Sequence, residues 1–156
     1  MIQLQVFVKA HFKLSFDLFR VEKGSPLRLS CTAYGEKPLT IRWLKERVEI
    51  NPLLEKRYIV TEKETADGLI SELYSSTASR EDSSTFTCAA SNAYGQGEQH
   101  NRVLVEETPD PPNTIEVAEY THKSITLRYV QPYNGNKPII NYICQWKKHK
   151  GLDRVH

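Results

Sequence analysis

Apolar and polar residues alternate with a period of two along most of the chain, the spacing that sends successive side chains to opposite faces of a strand. Leu27, Leu29, Cys31 and Ala33 fall on one face and Arg28, Ser30 and Thr32 on the other, so this segment reads as a half-buried strand. Leu39, Ile41 and Trp43 repeat the pattern, and so do Phe86, Cys88 and Ala90. Further strands are predicted at Arg57-Tyr58-Ile59-Val60, at Leu69 to Thr77, at Gln99 to Glu106, in the extended stretch Phe12 to Val21, and in the alternating run Leu4, Val6 and Val8. Turn sequences separate them: Glu22-Lys23-Gly24-Ser25-Pro26, Tyr34-Gly35-Glu36-Lys37-Pro38, Asn51-Pro52, Ala66-Asp67-Gly68 and Ser91-Asn92-Ala93-Tyr94-Gly95. In the last of these Asn92 can satisfy loop backbone groups and Gly95 can take positive φ, which predicts a hairpin. The fold class is all-β.

The pattern breaks at Thr108-Pro109-Asp110-Pro111-Pro112, where three prolines favour an extended, semi-rigid connection with few donors. This marks a domain boundary. Beyond it come Ile115-Glu116-Val117, Ser124-Ile125-Thr126-Leu127-Arg128-Tyr129, a proline-rich turn from Gln131 to Pro138, and Tyr142-Ile143-Cys144-Gln145-Trp146. Strand, strand, turn and aromatic strand resemble strands A to C of a fibronectin type III domain, and too little chain follows to complete the roughly seven strands of such a sandwich.

Composition narrows the function classes. The 156 residues carry a net charge of +2 with 26% charged residues, which does not suggest a nucleic-acid or membrane-surface protein. The basic run Lys147-Lys148-His149-Lys150 reads as a solvated strand end, and Glu106-Glu107 as its acidic counterweight. The five histidines, His11, His100, His122, His149 and His156, lie on separate segments without metal-ligand spacing. Serines at 75, 76, 79, 83 and 84 have no nucleophile-elbow glycines around them, and no glycine-rich phosphate loop occurs. The sequence predicts no enzyme, no cofactor, no metal, no nucleic acid and no small-molecule substrate. Met1 to Val8 has no long apolar core or small-residue cleavage site, and no apolar run reaches the roughly 18 residues of a membrane span.

Cys31, Trp43 and Cys88, with the acidic turn Glu81-Asp82-Ser83-Ser84 ahead of the last, resemble the frame of an immunoglobulin sandwich. That resemblance implies a disulfide between Cys31 on strand B and Cys88 on strand F, packed on by Trp43, in an oxidising compartment. Closing so long a loop would contribute about 4 kcal/mol. The alternative is a pair of reduced core cysteines in a cytosolic sandwich. Leu29, Leu73 and Phe86 are the other core residues expected. Phe86 stands where the pattern has a tyrosine, so the hydroxyl that ties that corner is expected to be missing. Ser75 occupies an inward position of strand E, which implies a shifted strand or a weak core layer. Arg57, opening strand D, is expected to meet Asp82 at the bottom of the sandwich, a pair worth about 0 to 1 kcal/mol if exposed. Cys144 shares a face with Tyr142 and Trp146; it reads as a small core hydrophobe in an intact second domain, or as an unpaired, exposed thiol if that domain is incomplete.

The run Gly35-Glu36-Lys37-Pro38, the stretch Phe86-Thr87-Cys88-Ala89-Ala90-Ser91-Asn92-Ala93-Tyr94-Gly95, the proline linker and Gln131-Pro132-Tyr133-Asn134-Gly135-Asn136-Lys137-Pro138-Ile139 together resemble the Down syndrome cell adhesion molecule (Dscam) family. The resemblance runs from about Val6 onward, and is to the last immunoglobulin domain before the first fibronectin type III domain of an arthropod member. It implies an I-set immunoglobulin β-sandwich over residues 10–107, a linker over 108–113, and an incomplete fibronectin type III domain, strands A to C, over 114–156. Residues 1–9 read as a stub of the last strand of a preceding immunoglobulin domain; an overlong strand A is the alternative. The family implies a fragment of the extracellular part of a plasma-membrane adhesion receptor, acting as a spacer in homophilic cell-cell recognition, in neuronal self-recognition and axon guidance or in arthropod immunity. Its partners would be other copies of the parent receptor, met through domains outside this fragment. A different class, the intracellular immunoglobulin and fibronectin modules of giant muscle proteins, predicts the same strands with reduced cysteines.

Overall fold

Strand alternation decides which faces meet in the computed structural model, which describes residues 2–148; His149, Lys150 and His156 lie outside the described residues. The strands are β1 (His11–Phe12), β2 (Phe16–Glu22), β3 (Leu27–Tyr34), β4 (Thr40–Lys45), β5 (Val48–Glu49), β6 (Ile59–Glu64), β7 (Gly68–Ser75), β8 (Thr85–Asn92), β9 (Gly95–Glu106), β10 (Ile115–Tyr120) and β11 (Ile125–Tyr129), with one 3-10 turn at Arg80–Asp82. The chain divides into two compact units, Met1–Thr108 and Pro109–His156.

The first unit is a sandwich. One sheet has the order β1-β3-β7-β6 and the other β2-β9-β8-β4-β5. All neighbours are antiparallel except β2 and β9, which run parallel in register from Phe16 opposite His100 to Glu22 opposite Glu106. The inward faces of β3 and β8 are those the alternation marks: Leu27, Leu29, Cys31 and Ala33 from one sheet meet Phe86, Cys88 and Ala90 from the other, all buried. Leu73, Val103, Val105 and Trp43 complete the core. Burying a side chain of this size contributes about 1.5 to 3 kcal/mol, so these few positions dominate the stability of the unit.

Four expectations need correction. The stretch Phe12 to Val21 is two strands rather than one. β1 pairs with β3 in one sheet and β2 with β9 in the other, so the chain crosses between sheets at residues 13–15. Ile2 to Val8 forms no strand, since its partners are side chains and loop groups instead of a ladder. The segment expected to open strand D at Arg57 becomes strand only at Ile59, because Arg57 and Tyr58 turn toward Asp82. Strand β9 starts at Gly95, four residues early, because Asn92 pairs directly with Gly95 across a two-residue loop.

Strand β7 is not shifted: Leu69, Ser71, Leu73 and Ser75 all point inward. Ser75 is buried, with only a 3.5 Å contact from its Oγ to the Thr77 carbonyl, so that level of the core is weakly satisfied. Ser71 is better placed and accepts a hydrogen bond from Trp43 Nε1 at 2.9 Å. The bond joins the two sheets beside the disulfide.

The second unit contains the β10–β11 antiparallel hairpin. Residues 142–146, expected as a third strand, pair with neither strand of it, and Trp146 is 87% exposed. No opposing sheet among the described residues receives that segment.

Candidate functional site

Among the described residues, polar side chains converge where the chain joins and leaves the first unit. Among the described residues no group of three or more His, Cys, Asp or Glu is arranged to hold a metal ion. The two places sit at opposite ends of β3, whose eight residues separate them by roughly 23 Å.

At the end where the chain leaves, next to the start of β3, the 3-10 turn carries Asp82 inward until its side chain is fully buried. Arg57 pairs with it through Nη2, the Tyr58 hydroxyl donates to Oδ1 at 2.7 Å, and the Ser79 backbone N–H donates to Oδ2 at 2.8 Å. Burial alone would push the Asp82 carboxyl up. Donors from Arg57, Ser79 and Tyr58 outweigh it and hold the group below the ordinary carboxylate range. The same contact, led by the hydrogen bond to Asp82, raises Arg57. Burial, then the bond to Asp82, pushes the Tyr58 phenol well above its usual value. The Arg57 guanidinium also donates to Ser79 Oγ at 2.8 Å and to the Thr77 carbonyl at 3.1 Å.

The contact expected between Arg57 and Asp82 is present in this network. The Arg57 and Asp82 pair is not exposed on its acidic side, so the small value of a surface pair does not apply. A hydroxyl is also present at the corner where Phe86 lacks one. It belongs to Tyr58, whose ring meets the Phe86 ring edge-on at 5.9 Å and whose hydroxyl donates to Asp82.

Glu107 lies beside this cluster, at the last turn before the proline segment. Its side chain is nearly buried, with Arg80 Nε donating to Oε1 at 2.6 Å and Lys23 Nζ standing 3.4 Å from Oε2. The Arg80 hydrogen bonds hold its carboxyl low, against some desolvation. Backbone bonds reinforce the position: Lys23 N–H donates to the Glu106 carbonyl at 2.9 Å and Gly24 N–H to the Ala78 carbonyl at 2.8 Å. The departing chain is therefore fastened from the β2–β3 turn and from the 3-10 turn at once.

At the other end the arriving chain is held by the β3–β4 and β8–β9 loops. The Val8 carbonyl accepts from the Glu36 N–H at 2.9 Å and from Asn92 Nδ2 at 3.0 Å. Asn92 Nδ2 also donates to the Glu36 carbonyl, and its Oδ1 accepts from the Tyr94 and Gly95 N–H groups. The Phe7 ring stacks on Tyr94, with centroids 4.6 Å apart and planes 9° from parallel. Gly35 has φ +139° and sits so close that a Cβ there would lie 2.8 Å from the Lys9 carbonyl oxygen. A side chain at Gly35 would push the arriving chain away.

The remaining sequence candidates are placed as follows. Cys31 and Cys88 form the disulfide, with Cα atoms 6.6 Å apart. Trp43, Phe86, Leu29 and Leu73 lie in the core around it. Cys144 is free and exposed. Sequence reasoning missed Asn101, which is fully buried on β9. Its Nδ2 lies 3.5 Å from both disulfide sulfurs and donates to the Phe86 carbonyl at 3.2 Å, while Gln99 Nε2 donates to its Oδ1. An inward asparagine among valines was the available signal. Glu107, taken for surface charge, and Tyr58, taken for a strand residue, were missed as well.

Among known proteins, the chain is similar to the cell adhesion molecule Dscam1 of Drosophila melanogaster, 34% identical over 85% of this chain and 7% of the relative. It is similar also to the cell adhesion molecule DSCAM of Gallus gallus, 43% identical over 80% of this chain and 6% of the relative. The chain thus spans only a small fraction of these relatives' length. A titin I-band fragment, I67-I69, shares the fold at a TM-score of 0.59 and 24% identity, over 72% of this chain and 38% of that one. The immunoglobulin I-set domain family matches residues 10–105, the stapled sandwich, and the chain belongs to that family.

Proposed function

We propose that the stapled sandwich is a spacer in the extracellular part of a Dscam-type adhesion receptor, holding the recognition domains of its parent at a fixed reach. The observation that carries this reading is the fastening of both chain ends. Val8 is held by two groups, the Glu36 N–H and Asn92 Nδ2, and Glu107 by Arg80 and Lys23, so direction is imposed where the chain arrives and where it leaves. A spacer needs that and little else. Its broad faces need no recognition chemistry of their own.

In this reading the parent is an arthropod Dscam and the sandwich its last immunoglobulin domain before the first fibronectin type III domain. The similarity to Dscam proteins supports it, since 80 to 85% of the chain is more than the sandwich occupies. Residues 114–156 are then the opening strands of that fibronectin domain, and residues 1–9 the end of a preceding immunoglobulin domain. The process served is homophilic cell-cell recognition, in neuronal self-recognition or immunity, with partners met through other domains of the parent. The disulfide favours this over an intracellular muscle module, and the likeness to titin carries the fold alone.

Replacing residues 10–107 by a flexible glycine-serine segment in the parent receptor tests the reading. Distal domains in solution should bind as before while adhesion between cells is lost. Adhesion retained at full strength would overturn the spacer role.

A further inference from the structure

The turn Asn134-Gly135-Asn136-Lys137 is closed by the Lys137 N–H, which donates to the Asn134 carbonyl at 3.3 Å. Its two central residues are left-handed, with φ +69° at Gly135 and +59° at Asn136. Asn134 is exposed, and its side chain folds over Gly135 because Oδ1 accepts the Asn136 N–H at 2.9 Å. A donor there stabilises the charge that would develop on Oδ1 if Cγ were attacked. Among the described residues, neither Asn134 Nδ2 nor the Gly135 N–H is held by a hydrogen bond. The turn also anchors the proline segment: the Tyr133 carbonyl accepts the Asp110 N–H at 3.0 Å, and the Tyr133 hydroxyl accepts from Asn136 Nδ2 at 2.9 Å.

We propose that Asn134 is a site of spontaneous covalent modification, converted through its neighbour Gly135 into isoaspartate, and that the conversion loosens the hold of this turn on Asp110. The Gly135 nitrogen gives up its proton to solvent and bonds to Asn134 Cγ, while the Cγ–Nδ2 bond breaks and the amide leaves as ammonia. The product is a cyclic imide, which water then opens. Cleavage between the backbone carbonyl carbon and the nitrogen leaves isoaspartate, whose main chain runs through Cβ and Cγ; cleavage at Cγ leaves aspartate. The ring forms inside the loop that the Asn136 bond already closes, so little orienting remains to be done. The sequence selects the site. Of the seven asparagines, Asn134 alone precedes glycine, whose missing Cβ leaves the attacking nitrogen open. Asn92 and Asn101, by contrast, have their Nδ2 groups bound to carbonyls. Isoaspartate lengthens the main chain between Tyr133 and Gly135, which a turn this tight cannot absorb, and the Tyr133 carbonyl turns away from Asp110. The inference does not rest on the receptor reading and would survive its failure.

Ageing the full chain in mildly alkaline buffer, where it stays folded, and mapping its peptides by fragmentation that separates isoaspartate from aspartate tests the proposal. Conversion at Asn134 should run at least about tenfold faster than at any other asparagine, with isoaspartate among the products. The isoaspartate form, isolated by its extra negative charge, should exchange the Asp110 amide at least about tenfold faster than the fresh chain. Asn134→Asp, which adds the charge without the extra length, should keep the protection of Asp110. Asn134 left intact while other asparagines react, conversion that occurs only in the urea-unfolded chain, or aspartate as the sole product would overturn the proposal. So would unchanged protection of Asp110 in the isoaspartate form, or an equal loss in Asn134→Asp.

Discussion

β3 and β11 alternate in the same way, yet they meet opposite fates. Leu27, Leu29, Cys31 and Ala33 on β3 are at most 2% exposed, while Ile125, Leu127 and Tyr129 on β11 are 40 to 66% exposed. Both stand in antiparallel hydrogen-bonded ladders, the one between β3 and β7 unbroken and the one between β10 and β11 interrupted by a single bulge. What differs is a second layer: β3 faces β8 across a stapled core, and β11 faces nothing among the described residues. Alternation therefore specifies a strand and its two faces, and burial requires a sheet to answer it.

The contrast can be broken most forcefully at the staple. Replacing Cys31 and Cys88 by alanine should destabilise the first unit by about 4 kcal/mol, read as a large fall in its thermal midpoint, while the amide exchange of β10 and β11 stays as it was. A coupled loss in the hairpin would contradict the division into two units.

Next in size is a matched pair of truncations. Leu29→Ala, in the closed core, should cost about 3 kcal/mol by chemical denaturation. Leu127→Ala should leave the same transition unmoved. Equal effects would mean that the two leucines share one cooperative unit.

Asp82→Ala should cost about 3 kcal/mol, because it strands Arg57, Tyr58 and the Ser79 N–H around an empty site. Acid sharpens the point. The carboxyls of Asp82 and Glu107 are held below their ordinary range when folded, so the folded chain binds fewer protons than the unfolded one. Their stabilisation is whole above the unfolded carboxylate range of about 4 and drains away as pH falls through the lower folded values. The stability profile of Asp82→Asn should be flatter below about pH 4 than that of the parent chain. Smallest of all, Arg42→Ala removes an ion pair with Glu49 in which both side chains are more than half exposed, and should change stability by less than about 0.5 kcal/mol.

Much of the sandwich was legible because its signals are local. The faces of β3 and β8 follow from period two, and Cys31, Trp43 and Cys88 mark where those faces meet. Other features depend on a partner distant in the chain. Nothing in Phe12 to Val21 shows that its halves join different sheets, since each half is extended and half-apolar whichever ladder it takes. Tyr58 reads as a strand residue until Asp82 is placed beneath it, and Glu107 as solvated charge until Arg80 and Lys23 close on it. Ile2 to Val8 alternates as well as any strand, but no ladder in the described residues receives it. At Asn101 a buried amide stands where the pattern asks for an aliphatic residue, and only the sulfurs and the Phe86 carbonyl nearby explain it.

The central claim is that both ends of the sandwich are fastened to it, and amide hydrogen exchange at two backbone groups tests this most directly. Glu36 N–H, bonded to the Val8 carbonyl, and Lys23 N–H, bonded to the Glu106 carbonyl, report the arriving and departing chain. Protection at both should approach that of core amides on β3 and β8, as expected where exchange requires the unit to open. Exchange at either site as fast as in an unstructured chain would show that end to be loose, and the spacer account would fail.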